Sequence, residues 1–313
     1  MPKKMIARGL PPVHEPIGHS SAVSVVIPAR NESASIGAVV SGLRARLPDA
    51  EIIVVDDASD DDTAAKAREQ GARVVWHRYQ KGNGAAVKSG VRAATGRVLV
   101  LMDGDGQHDP ADVPRLLSAL AADVDMVVGA RDASSQASVP RLVANSVYNR
   151  MASWITGHRV EDLTSGFRAV DIARFREFLS LLPNGFSSPT TITMAFFRAG
   201  YTVTYMPIKA GRRAGRSHLK PLRDGLKFFL IIFKVGTLYS PLKLFVPVAF
   251  LQALIGVSYY LYTFIESARF TNMSALLLAS AVTTFLMGLI SEQITALLYK
   301  QDARRDALGE SDT

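Results

Sequence analysis

The chain has 313 residues, 48% of them hydrophobic, which excludes a disordered protein and is enough for one large domain or two smaller ones. It contains no cysteine, so disulfide frameworks, thiolate metal sites and thiol redox chemistry are excluded, and any metal must bind oxygen or imidazole. The net charge of +8 indicates an anionic partner, such as nucleic acid, phospholipid head groups or a phosphorylated substrate.

The N-terminal segment, residues 1–21, is basic and irregular. It carries four prolines together with Lys3, Lys4 and Arg8. It has neither the apolar core of a signal peptide nor helical periodicity. We interpret it as a flexible basic tail.

Five short runs rich in β-branched residues follow, and each has the length and composition of a buried strand. They are VSVVI at 23–27, EIIVV at 51–55, RVVWH at 73–77, RVLVLM at 97–102 and DMVVG at 125–129. The intervening segments are long enough for crossover helices, which predicts a mostly parallel α/β sheet covered on both faces. Ligands bind beyond the carboxyl ends of such strands, so the residues that follow each strand are the candidate site.

The loops after the second and third predicted strands carry residues of ligand-binding type. Asp56 and Asp57 follow EIIVV, where a carboxylate can accept an N–H of a nucleotide base, whereas the acids at 60–62 are better explained as favouring a helix N-terminus. The segment QKGNGAA, residues 80–86, precedes a predicted helix and is expected to present N–H groups and a lysine charge to a ligand. It lacks the spacing of a Walker loop.

An apolar strand runs directly into acidic residues in LMDGDGQHDP, residues 101–110. Asp103 and Asp105 stand two apart, so in extended backbone both carboxylates, with the Gln107 amide, face one side and suit a hard cation. A DxD pattern alone is weak evidence, because Asp and Gly are common in turns, and its place at a strand end strengthens it. Asp109 and Pro110 are expected to begin the next helix, and His108 is interpreted as a loop residue.

Two uncharged segments near the C-terminus, residues 244–265 and 270–291, are long enough to cross a hydrocarbon core of roughly 30 Å at about 1.5 Å per residue. With the short polar link between them they predict a membrane hairpin, and a pair of buried helices in a soluble core is the alternative. Basic residues concentrate before the first span and after the second, whereas the link carries only Arg269. This asymmetry places both termini and the soluble part in the cytosol.

The segment that precedes the hairpin, residues 212–243, is basic and aromatic. Its apolar residues on one helical face are Leu226, Phe229, Leu230 and Phe233. The pattern is typical of an amphipathic helix lying in the membrane interface, and a helix packed on the soluble domain is the alternative.

Seven segments, in order, resemble the motifs of family 2 glycosyltransferases of the GT-A fold, above all the polyprenyl-phosphate sugar transferases of the dolichol-phosphate mannose synthase type. The segments are VVIPARNES, VVDDASDDDT, KGNGAAVKSG, DGDGQHDP, VVGARD, DLTSGFR and RRAGRSHLKPLRD. The resemblance implies a Rossmann-like GT-A catalytic domain over 22–211, an acceptor loop with interfacial helices over 212–243, a transmembrane hairpin over 244–299 and a cytosolic tail over 300–313.

Carried over residue by residue, the resemblance implies three sets of site residues. The set around the nucleotide sugar is Pro28, Arg30, Asn31, Glu32, Asp56, Asp57, Lys81, Gly82, Asp103 and Asp105. The set that would hold Mg²⁺ or Mn²⁺ is Asp103, Asp105 and Gln107. The set at the acceptor phosphate is Arg131, Arg141, Asn145, Arg212, Arg213 and Ser217.

The resemblance also implies catalytic roles for Asp105 and Arg131 from these sets and for Asp162, which with Ser165 would shape the sugar site. The sequence departs from the family pattern at two positions. Asn145 stands where the family has Ser, and the residue after Ser217 is His where the family usually has Lys.

The implied activity is inverting transfer of a hexose-type sugar from a UDP- or GDP-linked donor to an undecaprenyl or dolichyl phosphate at the cytosolic face of the bacterial inner membrane or its equivalent. A phosphate monoester has its second pKa at about 6, so this acceptor is already an oxyanion at neutral pH and needs no strong general base. The alternatives are a family 2 enzyme with a hydroxyl acceptor and a non-catalytic membrane-tethered nucleotide-binding protein.

The positions of the basic residues along the chain indicate which anionic partner they bind. They lie beside the spans, which indicates membrane lipids rather than nucleic acid. Interfacial helices and a membrane hairpin are compatible with a homo-oligomer, whose size the sequence does not set.

Overall fold

The computed structural model describes residues 23–121, 123–132, 139–185, 187–209, 211, 233, 236–237 and 239–307. The predicted tail over 1–21 and most of the predicted acceptor loop and interfacial helix lie outside the described residues.

Seven strands form one mixed sheet in the order β3-β2-β1-β4-β6-β5-β7. They are β1 (Val23–Ala29), β2 (Glu51–Asp56), β3 (Arg73–Trp76), β4 (Val98–Leu101), β5 (Met126–Arg131), β6 (Arg168–Asp171) and β7 (Val203–Ile208). The first four are mutually parallel, and β5 is parallel to β7. Strand β6 runs antiparallel between β4 and β5. The five predicted strands are confirmed, whereas β6 and β7 were not predicted.

Helices cover both faces of the sheet. Those of the globular part are α1 (Ile36–Arg46), α2 (Thr63–Glu69), α3 (Asn83–Ala93), α4 (Val113–Ala119), α5 (Val139–Thr156), α6 (Ile172–Glu177) and α7 (Ser188–Ala199). Alternate residues of β1 face opposite layers: Val25 packs in the cluster with α1, and Val26 packs in the cluster with α3 and α7. Because both faces of the sheet are buried, the sequences of these strands are apolar along most of their length.

Two long helices, α8 (Pro241–Ser267) and α9 (Asn272–Ala307), form the predicted hairpin. Their most apolar windows have mean hydropathies of 1.8 and 2.0, and only 11% and 17% of those windows is buried. Low burial argues against core helices of a soluble protein, so two membrane spans are the better interpretation. Helix α9 continues to Ala307, beyond the boundary at residue 299 that the sequence predicted.

Candidate active site

A cavity of about 430 Å³ opens beyond the carboxyl ends of β1, β2 and β4. The predicted site residues that line it are Pro28, Arg30, Glu32, Asp57, Gly82, Asp103 and Asp105. Predicted residues that do not line it are Asn31, Asp56, Lys81, Gln107, Arg131, Asn145 and Asp162. Other parts of its lining come from α3, α6, α7, β6 and the loop before β6, through Val87, Thr164, Gly166, Arg168, Phe175 and Ile192.

The acidic loop after β4 is held in place by backbone contacts. The Ser35 hydroxyl donates to the carbonyl of Gly104 at 2.7 Å, and the amide N–H of Gln107 donates to Asp105 Oδ1 at 3.1 Å. The backbone N–H of Gly211 donates to the carbonyl of Gln107 at 2.7 Å. The loop with the DxD pattern therefore contacts Gly211, the residue directly before the predicted acceptor loop at 212–243. As predicted, Asp109 caps the short 3₁₀ helix Pro110–Asp112 that leads into α4.

A glycine faces the first carboxylate of this loop. A Cβ added at Gly166 would lie 3.0 and 3.1 Å from the two carboxylate oxygens of Asp103. The glycine therefore keeps space open beside an acid that is itself partly exposed to the cavity. Within the described parts of the chain, no group of three or more His, Asp or Glu side chains is arranged around a metal position. The donor set of two carboxylates and the Gln107 amide stays a prediction; oxygen donors of this type suit Mg²⁺ or Mn²⁺, which also take phosphate oxygens and water as ligands.

His108, to which the sequence assigned no role, is buried behind this acid. Its ring stacks on Phe167 with 4.9 Å between ring centroids, and its Nδ1 lies 3.9 Å from Asp103 Oδ2. Nδ1 is buried without a hydrogen-bond partner among the described residues. The missed signal was the histidine immediately after the acidic motif, whose burial depends on Phe167, 59 residues away in the sequence.

Asp57 acts as a buried anchor for the loop after β3. Its carboxylate accepts the backbone N–H of Lys81 and of Gly82, each at 2.8 Å, and lies 2.7 Å from His77 Nδ1. Burial raises the pKa of Asp57, but the hydrogen bonds from His77 and from the two amides outweigh it and hold that pKa below its usual value. Asp57 therefore fixes the wall that Gly82 contributes to the cavity.

The amides just before α3 and in its first turn are occupied within the protein. In addition to the two N–H groups bound by Asp57, those of Gly84 and Ala85 donate to the carbonyls of Gly185 and Asn184, both at 3.2 Å. The prediction that QKGNGAA presents its N–H groups to a ligand is wrong for these four amides, because each is satisfied by another segment of the chain.

The loop after β1 is tied to the acidic loop after β2. Asn31, at φ 56°, donates its N–H to the Ser59 hydroxyl at 3.0 Å, and its side-chain oxygen accepts from the amide of Asp60 at 2.9 Å. Asp61 accepts the N–H of Thr63, the first residue of α2, at 3.0 Å. This confirms for Asp61 that an acid of this loop serves the start of the helix, whereas Asp62 is the N-cap residue without a side-chain cap hydrogen bond. Asp56 accepts the N–H of Ser59 at 3.0 Å, so its carboxylate also serves the loop.

At the end of β5, Arg131 forms a two-pronged ion pair with Asp162. Its Nε and Nη2 donate to the two carboxylate oxygens at 2.8 and 2.9 Å, and Nη2 also donates to the Thr164 hydroxyl at 2.6 Å. The same carboxylate accepts the N–H groups of Thr164 and Ser165. Burial raises the pKa of Asp162. The charge and hydrogen bonds of Arg131, together with the hydrogen bonds from the amides, outweigh this effect and hold that pKa below its usual value.

A second arginine, Arg168, lies in the wall of the cavity and was not singled out from the sequence. It is fully buried on β6, and its guanidinium donates to the carbonyls of Ser165 and Pro189 and to the Thr193 hydroxyl. Burial lowers its pKa to about 10, partly offset by neighbouring acids. The residue joins the DLTSGFR loop to the start of α7 and thereby shapes this wall.

Several residues predicted for the acceptor side lie outside the described residues, namely Arg212, Arg213 and Ser217. Arg141 lies on α5, but its side chain is outside the described part. Asn145 lies one turn further along the same helix, where it is partly buried. The shared helix agrees with the predicted pairing of these two positions, whose contact with a ligand stays a prediction.

Comparison with known families gives two matches to this chain. Glycosyl transferase family 2 matches residues 24–179, and the GtrB C-terminal hairpin matches residues 240–297. The first match lies within the globular part and ends before α7, and the second covers the helical hairpin.

Two curated relatives and one solved structure are similar to the chain. The glycosyltransferase AglJ of Haloferax volcanii is 30% identical over 300 residues, which are 92% of this chain and 98% of the relative. The dolichyl-phosphate hexose transferase of Haloferax volcanii is 33% identical over 217 residues, 68% and 93% of the two chains. A glucosyl-3-phosphoglycerate synthase from Mycobacterium tuberculosis, solved with Mn²⁺, UDP and phosphoglyceric acid, superposes with a TM-score of 0.57 at 23% identity, covering 69% and 78%. The last likeness concerns the fold alone.

Proposed function

We propose, from the fact that this chain belongs to glycosyl transferase family 2, that it transfers a hexose-type sugar from a nucleotide diphosphate sugar to a polyprenyl phosphate. The observation that carries the proposal is that a cavity at the strand ends gathers both DxD carboxylates with Pro28, Arg30 and Glu32. The similarity to a dolichyl-phosphate hexose transferase and the hairpin match support a lipid-linked acceptor.

The donor is proposed to lie along the ends of β1, β2 and β4. Asp56 and Asp57 hold the loops that would border the base and ribose, and the exposed Lys81 lies at the edge of this region over the ring of Tyr79. Asp103, Asp105 and Gln107 would hold Mg²⁺ or Mn²⁺. When bound, the cation would act as a Lewis acid that stabilises negative charge on the leaving diphosphate.

The acceptor phosphate is proposed to bind at Arg131, assisted by Arg141, Asn145 and the loop that carries Arg212, Arg213 and Ser217. The contacts of Arg131 with Asp162 and Thr164 use Nε and Nη2, so Nη1 is the nitrogen we assign to the incoming phosphate. A guanidinium held by a carboxylate on one edge is pre-organised for a second anion on the other. The phosphate oxygen then attacks the anomeric carbon, the bond to the diphosphate breaks, and the configuration inverts.

Asp162 is assigned a positioning role. Both of its oxygens already accept hydrogen bonds from Arg131 and from amides of its own loop, and its lowered pKa disfavours proton uptake. The acceptor is already an oxyanion at neutral pH, since its second pKa is about 6, so no proton needs to be removed.

The enzyme is proposed to work at the cytosolic face of its membrane. Residues 22–211 form the catalytic domain, residues 212–243 the acceptor loop and interfacial helices, and residues 244–299 the two spans. The excess of Lys and Arg on the side of the hairpin that carries the catalytic domain supports this orientation.

The experiment is to incubate the purified full chain with undecaprenyl phosphate, Mg²⁺ or Mn²⁺, and a panel of UDP- and GDP-linked sugars. Formation of polyprenyl-phosphate sugar from one donor is the expected result. The variant Asp105→Ala is expected to lose both transfer and Mn²⁺ binding, which calorimetry measures separately, whereas Asp123→Ala, at an exposed position, should keep both. Near-normal turnover of Asp105→Ala with metal present would overturn the cation assignment, and transfer to a hydroxyl acceptor alone would overturn the acceptor assignment.

A further inference from the structure

Helix α5 carries an exposed face that none of the contacts described above uses. Val147 and Trp154 are 55% and 52% exposed, and Arg150 between them is also exposed. Spacings of three and four residues place these side chains on one stripe of the helix. Single exposed apolar side chains are common on protein surfaces, so it is the location of this stripe, and not its exposure alone, that points to an occupant.

The C-terminal end of α5 lies at the base of the membrane hairpin. The Lys243 ammonium donates to the carbonyl of Ile155 at 2.8 Å. Ile155 belongs to a buried cluster against which Leu244 packs, and a Cβ added at Gly236 would lie 3.2 Å from Ile155 Cδ1. The first uncharged span begins at residue 244, so Ile155 lies at the level where head groups give way to hydrocarbon.

Trp154 is therefore held at the level where tryptophan is favoured. It directly precedes Ile155, and consecutive Cα atoms are about 3.8 Å apart, so its backbone lies close to the Lys243 level. The indole ring of tryptophan prefers the membrane–water interface, because it joins an apolar body to one polar N–H. The neighbouring cations Arg150 and Lys243 match the negative charge of anionic lipid head groups, whereas Arg159 is paired with Glu161 at 3.3 Å.

We propose that the stripe of Val147, Arg150 and Trp154 on α5 is a second membrane contact, in which Trp154 inserts into the head-group layer of an anionic bilayer beside the first span. The contact requires that α8 and α9 span a membrane, but it does not require that the chain catalyses the proposed sugar transfer. It would also attach to the bilayer the helix on which Arg141 and Asn145 lie, with Arg141 about 20 Å from Trp154 at 1.5 Å per residue.

The composition of the chain supplies a matched test. Its two tryptophans are Trp154 and Trp76, and the latter is 57% exposed on the edge strand β3. The variants Trp76→Phe and Trp154→Phe each leave one tryptophan, and the full chain is reconstituted in vesicles of phosphatidylcholine and phosphatidylglycerol. Fluorescence is then quenched either by iodide in the water or by lipids brominated near the head group.

The expected result is that brominated lipid quenches Trp154 strongly and Trp76 weakly, while iodide quenches Trp154 several-fold less than Trp76. Equal iodide quenching of both, without lipid quenching of Trp154, would overturn the contact. Protection from iodide without lipid quenching would point to a second copy of the chain and also overturn it. Equal lipid quenching of both tryptophans would refute a contact specific to this face.

A second measurement uses the absence of cysteine, so that one introduced thiol is labelled uniquely. A spin label at Arg150→Cys should be more accessible to oxygen dissolved in the bilayer than to a water-soluble nickel chelate, and a label at the exposed Glu69→Cys on α2 should show the reverse. The same chelate accessibility at both positions would contradict the proposal. Neither measurement depends on catalysis, so a failed transfer assay leaves both results interpretable.

Discussion

Replacement of Asp162 by Asn tests the pair with Arg131. The variant keeps the shape of the side chain but removes its charge, and it sets an amide NH₂ against one of the two guanidinium donors, Nε–H or Nη2–H, while its C=O can still accept from the other. Removing one member of a buried pair costs roughly 3–5 kcal/mol. Arg131 retains some hydration, with 28% of its side chain exposed, so we take the lower end, about 3 kcal/mol, or roughly a hundredfold in the unfolding equilibrium.

Stability is measured by unfolding in detergent, with Asp123→Asn as the exposed control. The folded-state pKa of Asp162 is lowered, so its contribution is complete above the ordinary aspartate pKa of about 3.9 and is lost as pH falls toward the lower folded value. The difference between wild type and variant should be constant near neutral pH and should shrink only in acid.

Kinetics separate positioning from proton transfer. A misplaced Arg131 is expected to raise the KM for the lipid phosphate, while the pH dependence of the remaining rate near neutrality follows that of the wild type. Unchanged unfolding, or a variant that selectively loses the rate limb controlled by a base, would refute the assignment of Asp162 as a positioning residue.

Three further substitutions probe the cavity and the hairpin. Gly166→Ala places a methyl group 3.0–3.1 Å from both oxygens of Asp103, and we expect several-fold weaker Mn²⁺ binding in calorimetry. Gly84→Ala overlaps a backbone carbonyl in the loop before α7, so thermal unfolding should show a loss of about 1–3 kcal/mol. Glu292→Gln replaces the carboxylate that accepts the N–H of Leu242 at 3.3 Å by a weaker acceptor. The backbone amide of Leu242 should therefore exchange its hydrogen faster.

Matched controls separate local from general effects. Gly37→Ala introduces a Cβ with no heavy atom within 4 Å, on a helix, and should not destabilise the protein or change Mn²⁺ binding. Glu266→Gln, exposed at the far end of α8, should leave exchange at Leu242 unaltered. Equal effects of control and test substitutions would contradict the local contacts from which these expectations are drawn.

Part of the architecture followed from local patterns. The five predicted strands and the two spans are continuous apolar runs whose burial or membrane insertion depends on their own length and composition. Strands β6 and β7 escaped prediction for the opposite reason. Strand β6 has only Ala169 and Val170 between Arg168 and Asp171, and β7 contains Pro207, so both depend on pairing with β4 and β5.

The candidate site divides in the same way. The DxD pair was recognisable because a buried strand opens into acids, and its place in the cavity agrees with that interpretation. The partners of Asp57 and Asp162 were not recognisable, since His77 is 20 residues away in the first case and Arg131 is 31 residues away in the second. The burial of His108 likewise depends on Phe167 from a distant loop.

The amino-acid sequence by itself determined the strands that carry acids at their ends, the two spans and the family, because each follows from residues adjacent along the chain. Only the tertiary structure decided which polar groups are already satisfied by distant segments and which face the cavity. The physical reason is that a buried carboxylate or amide must find a partner, and the fold alone determines which partner lies within about 3 Å.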